Sequence, residues 1–194
     1  LDLGRCRLGD HGISILANAL AIRNASTLEL VLQWNNITSV GVRALVGDNM
    51  EVMKTLTKLC LSGNFIRCEG ATILANALGH NAMPSLKQLQ LDSCGIRDDG
   101  FVALVSALEQ NTGLHILDLG GNHVGERGFI ALAESLPSIK GLQQIEMPAA
   151  NKSFRSTLPL LLEGFRKNTS LAKVESDYLH GEWSQELKFL GQLN

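Results

Sequence analysis

The sequence predicts an α/β solenoid, a horseshoe with a concave parallel β-sheet and convex helices, and three observations carry that prediction. The pattern Leu-x-x-Leu-x-Leu-x-x-Asn-x-Ile-x-x-x-Gly begins at Leu56, returns with Cys94 for the Asn at Leu86 and with Val124 for the Ile at Leu114, and is traceable with losses along the chain. Leucines at Leu59 and Leu61, Leu89 and Leu91, and Leu117 and Leu119 alternate with other residues, the period of a strand with one buried face. Past the Gly the apolar spacing changes to three and four, the period of a helix. Units of this kind stack in one dimension and bury a core only against their neighbours.

Aligned on the Asn/Cys position, the repeats read Cys6, Asn35, Asn64, Cys94, Asn122 and then Ala150. The Gly six residues later reads Gly12, Gly41, Gly70, Gly100, Gly128 and then Ser156, a period of 28 to 30 residues. Each repeat opens with a strand. Helices of about three turns follow, with stripes such as Ile73, Leu74, Ala77 and Leu78, or Phe129, Leu132 and Leu136. Acidic residues at their starts, as in Asp98-Asp99-Gly100, suit the positive end of the helix dipole. A strand, a helix and a parallel strand make a right-handed crossover, and repeating it at fixed length winds the sheet inside the curve. The Asn or Cys after each strand is placed to satisfy loop backbone groups that strand and helix leave unpaired.

The regular repeats cover 1–141, and 142–194 reads as degenerate repeats and a C-terminal cap of the same domain. From Leu142 the register weakens: Met147 replaces a strand Leu, Pro148 follows it, and Ala150 and Ser156 stand where Asn and Gly belong. Proline is tolerated near the end of a sheet, and terminal repeats are atypical. Trp183, Leu187 and Leu190 lie at helical spacing, as a lid over the last unit. The other end opens on Leu1-Asp2-Leu3, already strand-like, which reads as an array truncated at its N-terminus.

The run Leu56 to Leu78, with the Cys/Asn variation at the aligned position, resembles the ribonuclease-inhibitor-like class of leucine-rich repeats, and the resemblance is close from about Leu1 to Leu136. It implies a leucine-rich-repeat solenoid. Repeats similar to these occur in ribonuclease inhibitors, in activators of the Ran GTPase and in the sensor arms of intracellular innate-immune receptors, so the class implies a fold and no particular partner.

A net charge of −2 argues against a general nucleic-acid binder, which carries a basic stripe. No stretch approaches the roughly 18 to 20 apolar residues that span a bilayer. Cys6, Cys60, Cys68 and Cys94 lack Cys-x-x-Cys spacing and read as free thiols of a reducing compartment. Four glycosylation sequons, at Asn24, Asn36, Asn151 and Asn168, point the other way, and a cytoplasmic location is favoured over them.

Side chains between the buried leucines face the hollow. One such stripe reads Asp2, Val31, Cys60, Gln90, Asp118, Glu146 and Glu175; the next reads Gly4, Gln33, Ser62, Asp92, Gly120, Pro148 and Asp177. Its C-terminal half is acidic, which fits either a solvated face or a patch for a basic partner. Trp34 is the sharpest candidate: either an interface anchor, or a ring packed over the next repeat, covering Arg5 or filling space beside Gly63. Phe65 extends the same apolar spot, and Tyr178 marks a second one. His115 and His123 flank a strand with no third ligand implied, and there is no phosphate loop, nucleophile elbow or His-Glu-x-x-His motif.

The sequence therefore predicts a non-catalytic protein-interaction module without metal or cofactor. A protein partner of basic character is expected at Trp34, Gln33, Phe65, Gln90, Asp92, Asp118, Glu146 and Tyr178. The alternatives are a sensor arm of an innate-immune receptor and a GTPase-activating protein of the Ran-activator type.

Overall fold

The structure, a computed structural model, describes residues 1–21, 28–47, 51–148 and 152–175. Among these residues six strands form one parallel sheet in sequence order: β1 (Leu28–Val31), β2 (Leu56–Cys60), β3 (Gln88–Gln90), β4 (Ile116–Asp118), β5 (Gln144–Glu146) and β6 (Lys173–Glu175). The helices are α1 (Gly9–Ala21), α2 (Ser39–Val46), α3 (Glu51–Thr55), α4 (Arg67–Gly79), α5 (Asp98–Gln110), α6 (Glu126–Ser135) and α7 (Lys152–Lys167). Consecutive strands are parallel neighbours throughout, as a right-handed solenoid requires.

Register follows the sequence alignment. Leu30, Leu59, Leu89, Leu117, Ile145 and Val174 pair in one row, and all but the last are buried. Leu32, Leu61, Leu91, Leu119 and Met147, two residues on, are buried too. From the helix side Phe101 and Phe129 meet edge-to-face at 6.3 Å, and Leu45, Leu74, Leu104, Leu132 and Leu161 belong to the same core. Each such leucine contributes about 1.5–3 kcal/mol of transfer free energy, so the core is a column continuous across repeats rather than a set of separate centres.

Two features differ from the expected plan of seven strands. Leu1–Leu3 adds a row but not a full strand: Asp2 forms an isolated bridge to Val31, with Leu3 N–H donating to the Val31 carbonyl at 2.9 Å. Between α2 and β2 the chain forms the extra short helix α3, whereas β3, β4, β5 and β6 each follow a single helix. The repeats from Leu142 onward continue the sheet, because β5 and β6 pair in step with β4. The lid expected at Trp183, Leu187 and Leu190 lies outside the described residues.

The Asn positions act as foreseen. Asn64 is fully buried; its Nδ2 donates to the Leu32 and Leu61 carbonyls at 2.9 and 2.8 Å, while its Oδ1 accepts from Asn35 N and Ile37 N at 2.9 and 3.0 Å. Asn35 and Asn122 repeat this set one repeat earlier and two later. Cys94 keeps only part of it, its thiol donating to the Leu61 carbonyl at 3.2 Å. Burial pushes this thiol up to about 12, with the nearby Asp92 charge acting in the same direction against a hydrogen bond from the Asn64 backbone.

Candidate functional site

Opposite the leucine rows, the sheet presents the stripe read from the sequence. Val31, Cys60, Gln90, Asp118, Glu146 and Glu175 are successive register partners, and Asp2 joins them through its bridge to Val31. Seven rows at about 4.8 Å spacing span roughly 30 Å. The next row is joined through its backbone, since Arg5 N donates to Gln33 O, Trp34 N to Ser62 O, Gly63 N to Asp92 O and Ser93 N to Gly120 O.

The acidic half of the surface gathers over Gly120. A Cβ there would lie 3.0 Å from Glu146 Oε1, 3.1 Å from Asp92 Oδ1 and 3.4 Å from Asp118 Oδ1, so the bare glycine is the floor on which three carboxylates meet. Asp118 is oriented by the backbone, its Oδ1 accepting Gly120 N at 3.0 Å, as Asp2 accepts Gly4 N at 2.9 Å. Farther along, Glu175 is held by Lys173 Nζ at 2.6 Å and by Gln144 Nε2 at 2.8 Å. Gln33 and Gln90 are half-buried on the same face.

Trp34 closes the other half. Its ring lies over Gly63, where a Cβ would come within 2.6 Å of Cε2 and 2.7 Å of Cε3, and the Arg5 guanidinium sits 5.8 Å from the ring centroid. Both packing partners named from the sequence are present, yet the residue remains 50% exposed. Its φ of +57° is unusual for a bulky side chain, and the positions equivalent to it, Arg5, Gly63, Ser93 and Gly121, are all left-handed too. The turn imposes this conformation at each of the five described positions, and Trp34 occupies one that glycine fills without strain. Phe65, 59% exposed, stands on the following loop, where its backbone bridges to Thr38. Tyr178 lies outside the described residues.

His115 precedes β4 and His123 follows it, so the two stand at opposite ends of that strand. Among the described residues no group of three or more His, Cys, Asp or Glu side chains is placed to hold a metal ion. No described helix is long and apolar enough to cross a membrane. The four cysteines are free thiols, with Cys60 and Cys94 buried.

Asn168, read as a sequon, has a structural task that the sequence reading missed. Its Nδ2 donates to the Leu136 and Ile139 carbonyls at 2.6 and 2.8 Å, and its Oδ1 accepts Leu171 N at 2.7 Å. Asn111 holds Leu78 O, Gly113 N and Leu114 N in the same way. The signal was the recurrence of Asn-Thr-x-Leu at Asn111 and Asn168, ahead of a strand each time.

A family profile described as leucine-rich repeat matches residues 24–46, 82–105 and 110–133. The chain belongs to the ribonuclease-inhibitor-like class of leucine-rich repeats. This leucine-rich-repeat array is 32% identical over 151 residues to the human NACHT, LRR and PYD domains-containing protein 13, covering 78% of the chain and 14% of that protein. It is 33% identical over 148 residues to the mouse NACHT, LRR and PYD domains-containing protein 14, covering 76% of the chain and 15% of that protein. It thus spans about a seventh of the length of these relatives. Among solved structures it is similar to a tropomodulin C-terminal domain of Caenorhabditis elegans, with a TM-score of 0.54 at 13% identity over 92% of this chain and 90% of that one. It is also similar to leiomodin-1 actin-binding site 2, with a TM-score of 0.52 at 18% identity over 62% and 69%. At these identities the two structures bear on fold alone.

Proposed function

We propose that this array is a non-catalytic protein-binding module that works in the cytoplasm and engages a basic partner through its concave face and the adjoining loop rim. The contact residues are Trp34, Gln33, Phe65, Gln90, Asp92, Asp118 and Glu146. The observation that carries this reading is the convergence of three carboxylates over Gly120 on the sheet face turned away from the helices. A rigid sheet holds these groups in fixed positions, which reduces the ordering cost of association, and their field steers a positively charged surface toward them. Trp34 supplies the aromatic anchor. The free cysteines and the consumed Asn168 amide support the cytoplasmic assignment over a glycosylated, oxidised one.

Affinity capture tests this with three baits: wild type, a Trp34→Ala/Asp118→Lys double variant, and Ile15→Asp on the exposed side of α1. Proteins recovered by the wild type and the α1 variant but lost from the double variant are the expected result. Equal recovery by all three contradicts it.

A second reading is favoured by the relatives: the array is a segment of the repeat arm of an intracellular receptor built like the NACHT, LRR and PYD proteins it matches. The full-length transcript decides it. A nucleotide-binding domain encoded ahead of Leu1 supports the receptor reading, and its absence contradicts it.

A further inference from the structure

We propose that the strand-to-helix rim around Arg67 and Arg97 is a second docking surface, which takes an acidic peptide segment of a protein partner: clustered Asp or Glu side chains around one apolar residue. The loops after β2, β3 and β4 enclose a groove of about 610 Å³ lined by Phe65, Arg67, Cys68, Glu69, Arg97 and His123, with Cys94 and Gly95 as its base. Its positive charge is uncompensated. Two other arginines are paired, Arg43 with Glu69 at 3.1 Å and Arg127 with Asp99. Among the described residues no acidic side chain pairs with Arg67 or Arg97, and both are exposed. Glu69, the groove's one carboxylate, is held by Arg43 and by the Ser39 hydroxyl at 2.8 Å.

The backbone arranges the two guanidinium groups. Arg67 N donates to Cys94 O at 3.0 Å and Arg97 N to Cys68 Sγ at 3.4 Å, which locks each loop to the next. Gly95 takes a left-handed φ of +71° beside the Arg67 stem, whose Cγ lies 3.7 Å from where a Cβ would stand, ordinary packing contact. Phe65 offers an exposed ring beside them for an apolar residue, and the same rim continues to Arg5 and Arg7. A peptide fits this arrangement better than a nucleic acid. A short acidic segment needs only the two guanidinium groups and the exposed ring of the groove, whereas a long phosphate backbone would also feel the field of the carboxylates beside Gly120.

The test is fluorescence anisotropy of the full chain with a labelled pentapeptide carrying four acidic residues around a central Leu. The parallel probes are its lysine counterpart, a phosphoserine peptide without Asp or Glu, and a short single-stranded RNA. The acidic peptide should bind, and added salt should weaken it. Arg67→Glu/Arg97→Glu should weaken it by about tenfold or more, whereas Asp118→Lys should leave it bound, which separates this surface from the concave one. Should the double variant fail to give a wild-type circular-dichroism melt, Arg97→Gln with Phe65→Ser carries the same prediction at smaller size. Unchanged affinity in the folded variants, absence of binding by the acidic peptide, or tighter binding of RNA or phosphopeptide would overturn the proposal.

Discussion

Asn64 alone ties the backbones of three loops and strands, since its side chain reaches Leu32, Leu61, Asn35 and Ile37. Replacing it with Ala leaves two buried N–H groups and two carbonyls short of a partner, and about 2–4 kcal/mol of destabilisation is expected in urea melts. Cys94 shows what a poorer group does in the same place. Its thiol is pushed from 9.0 to about 12 in the folded chain, so the folded state holds a proton that the unfolded state releases. Stability is therefore unaffected by this group below about pH 9 and falls by about 1.4 kcal/mol per unit between there and about 12. Urea melts of the wild type and Cys94→Ala across that range check this, because the difference between the two should change with pH by that slope; parallel curves would contradict it. At Trp34, a left-handed backbone costs about 1–2 kcal/mol, and the contacts with Arg5 and Gly63 offset much of it. Trp34→Gly should accordingly change stability by less than about 1 kcal/mol while removing about 2 kcal/mol or more of partner affinity. A large loss of stability would show that the ring serves packing instead.

Three helix starts, those of α2, α5 and α6, are capped by the repeat before them. Asp10 on α1 accepts Thr38 N at 2.8 Å and Gly41 N at 3.0 Å at the start of α2; Asp98 on α5 accepts Gly125 N at 2.6 Å at the start of α6; Cys68 on α4 accepts Arg97 N ahead of α5. Asp10→Ala and Asp98→Ala should each cost about 1–2 kcal/mol, and thermal melts showing no loss would mean that water replaces the carboxylate freely. The strand leucines and the ladder asparagines were legible from the sequence because their spacing is fixed by the period of one coil. Asp98 reads from the sequence as a dipole partner of its own helix, and Asp10 and Cys68 give no signal as caps, since spacing along one repeat does not reveal a bond to the next. Asn111 and Asn168 were hidden for a similar reason: their motif appears in only some repeats, and at Asn168 a sequon matched it first. The stripe from Val31 to Glu175 was readable, whereas the convergence over Gly120 depends on how far each carboxylate reaches along the sheet.

As a whole the molecule is a one-dimensional stack, and its charges are sorted by face. Carboxylates collect on the open face of the sheet, unpaired arginines on the loop rim beside Phe65, and the ion pair of Arg127 with Asp99 on the helical side. This sorting fits a partner that carries both a basic surface for the hollow and an acidic segment for the rim, the arrangement by which electrostatic complementarity fixes register. The account rests on the hollow being the working face. Site-specific photo-crosslinking measures that most directly: a photoreactive residue at Gln33 or Gln90, on the sheet, compared with one at Val102, in the helical groove beside Asp99 and Arg127. The sheet positions should give discrete crosslinked partners in a lysate and the helical position none. Crosslinks from Val102 alone would contradict the account.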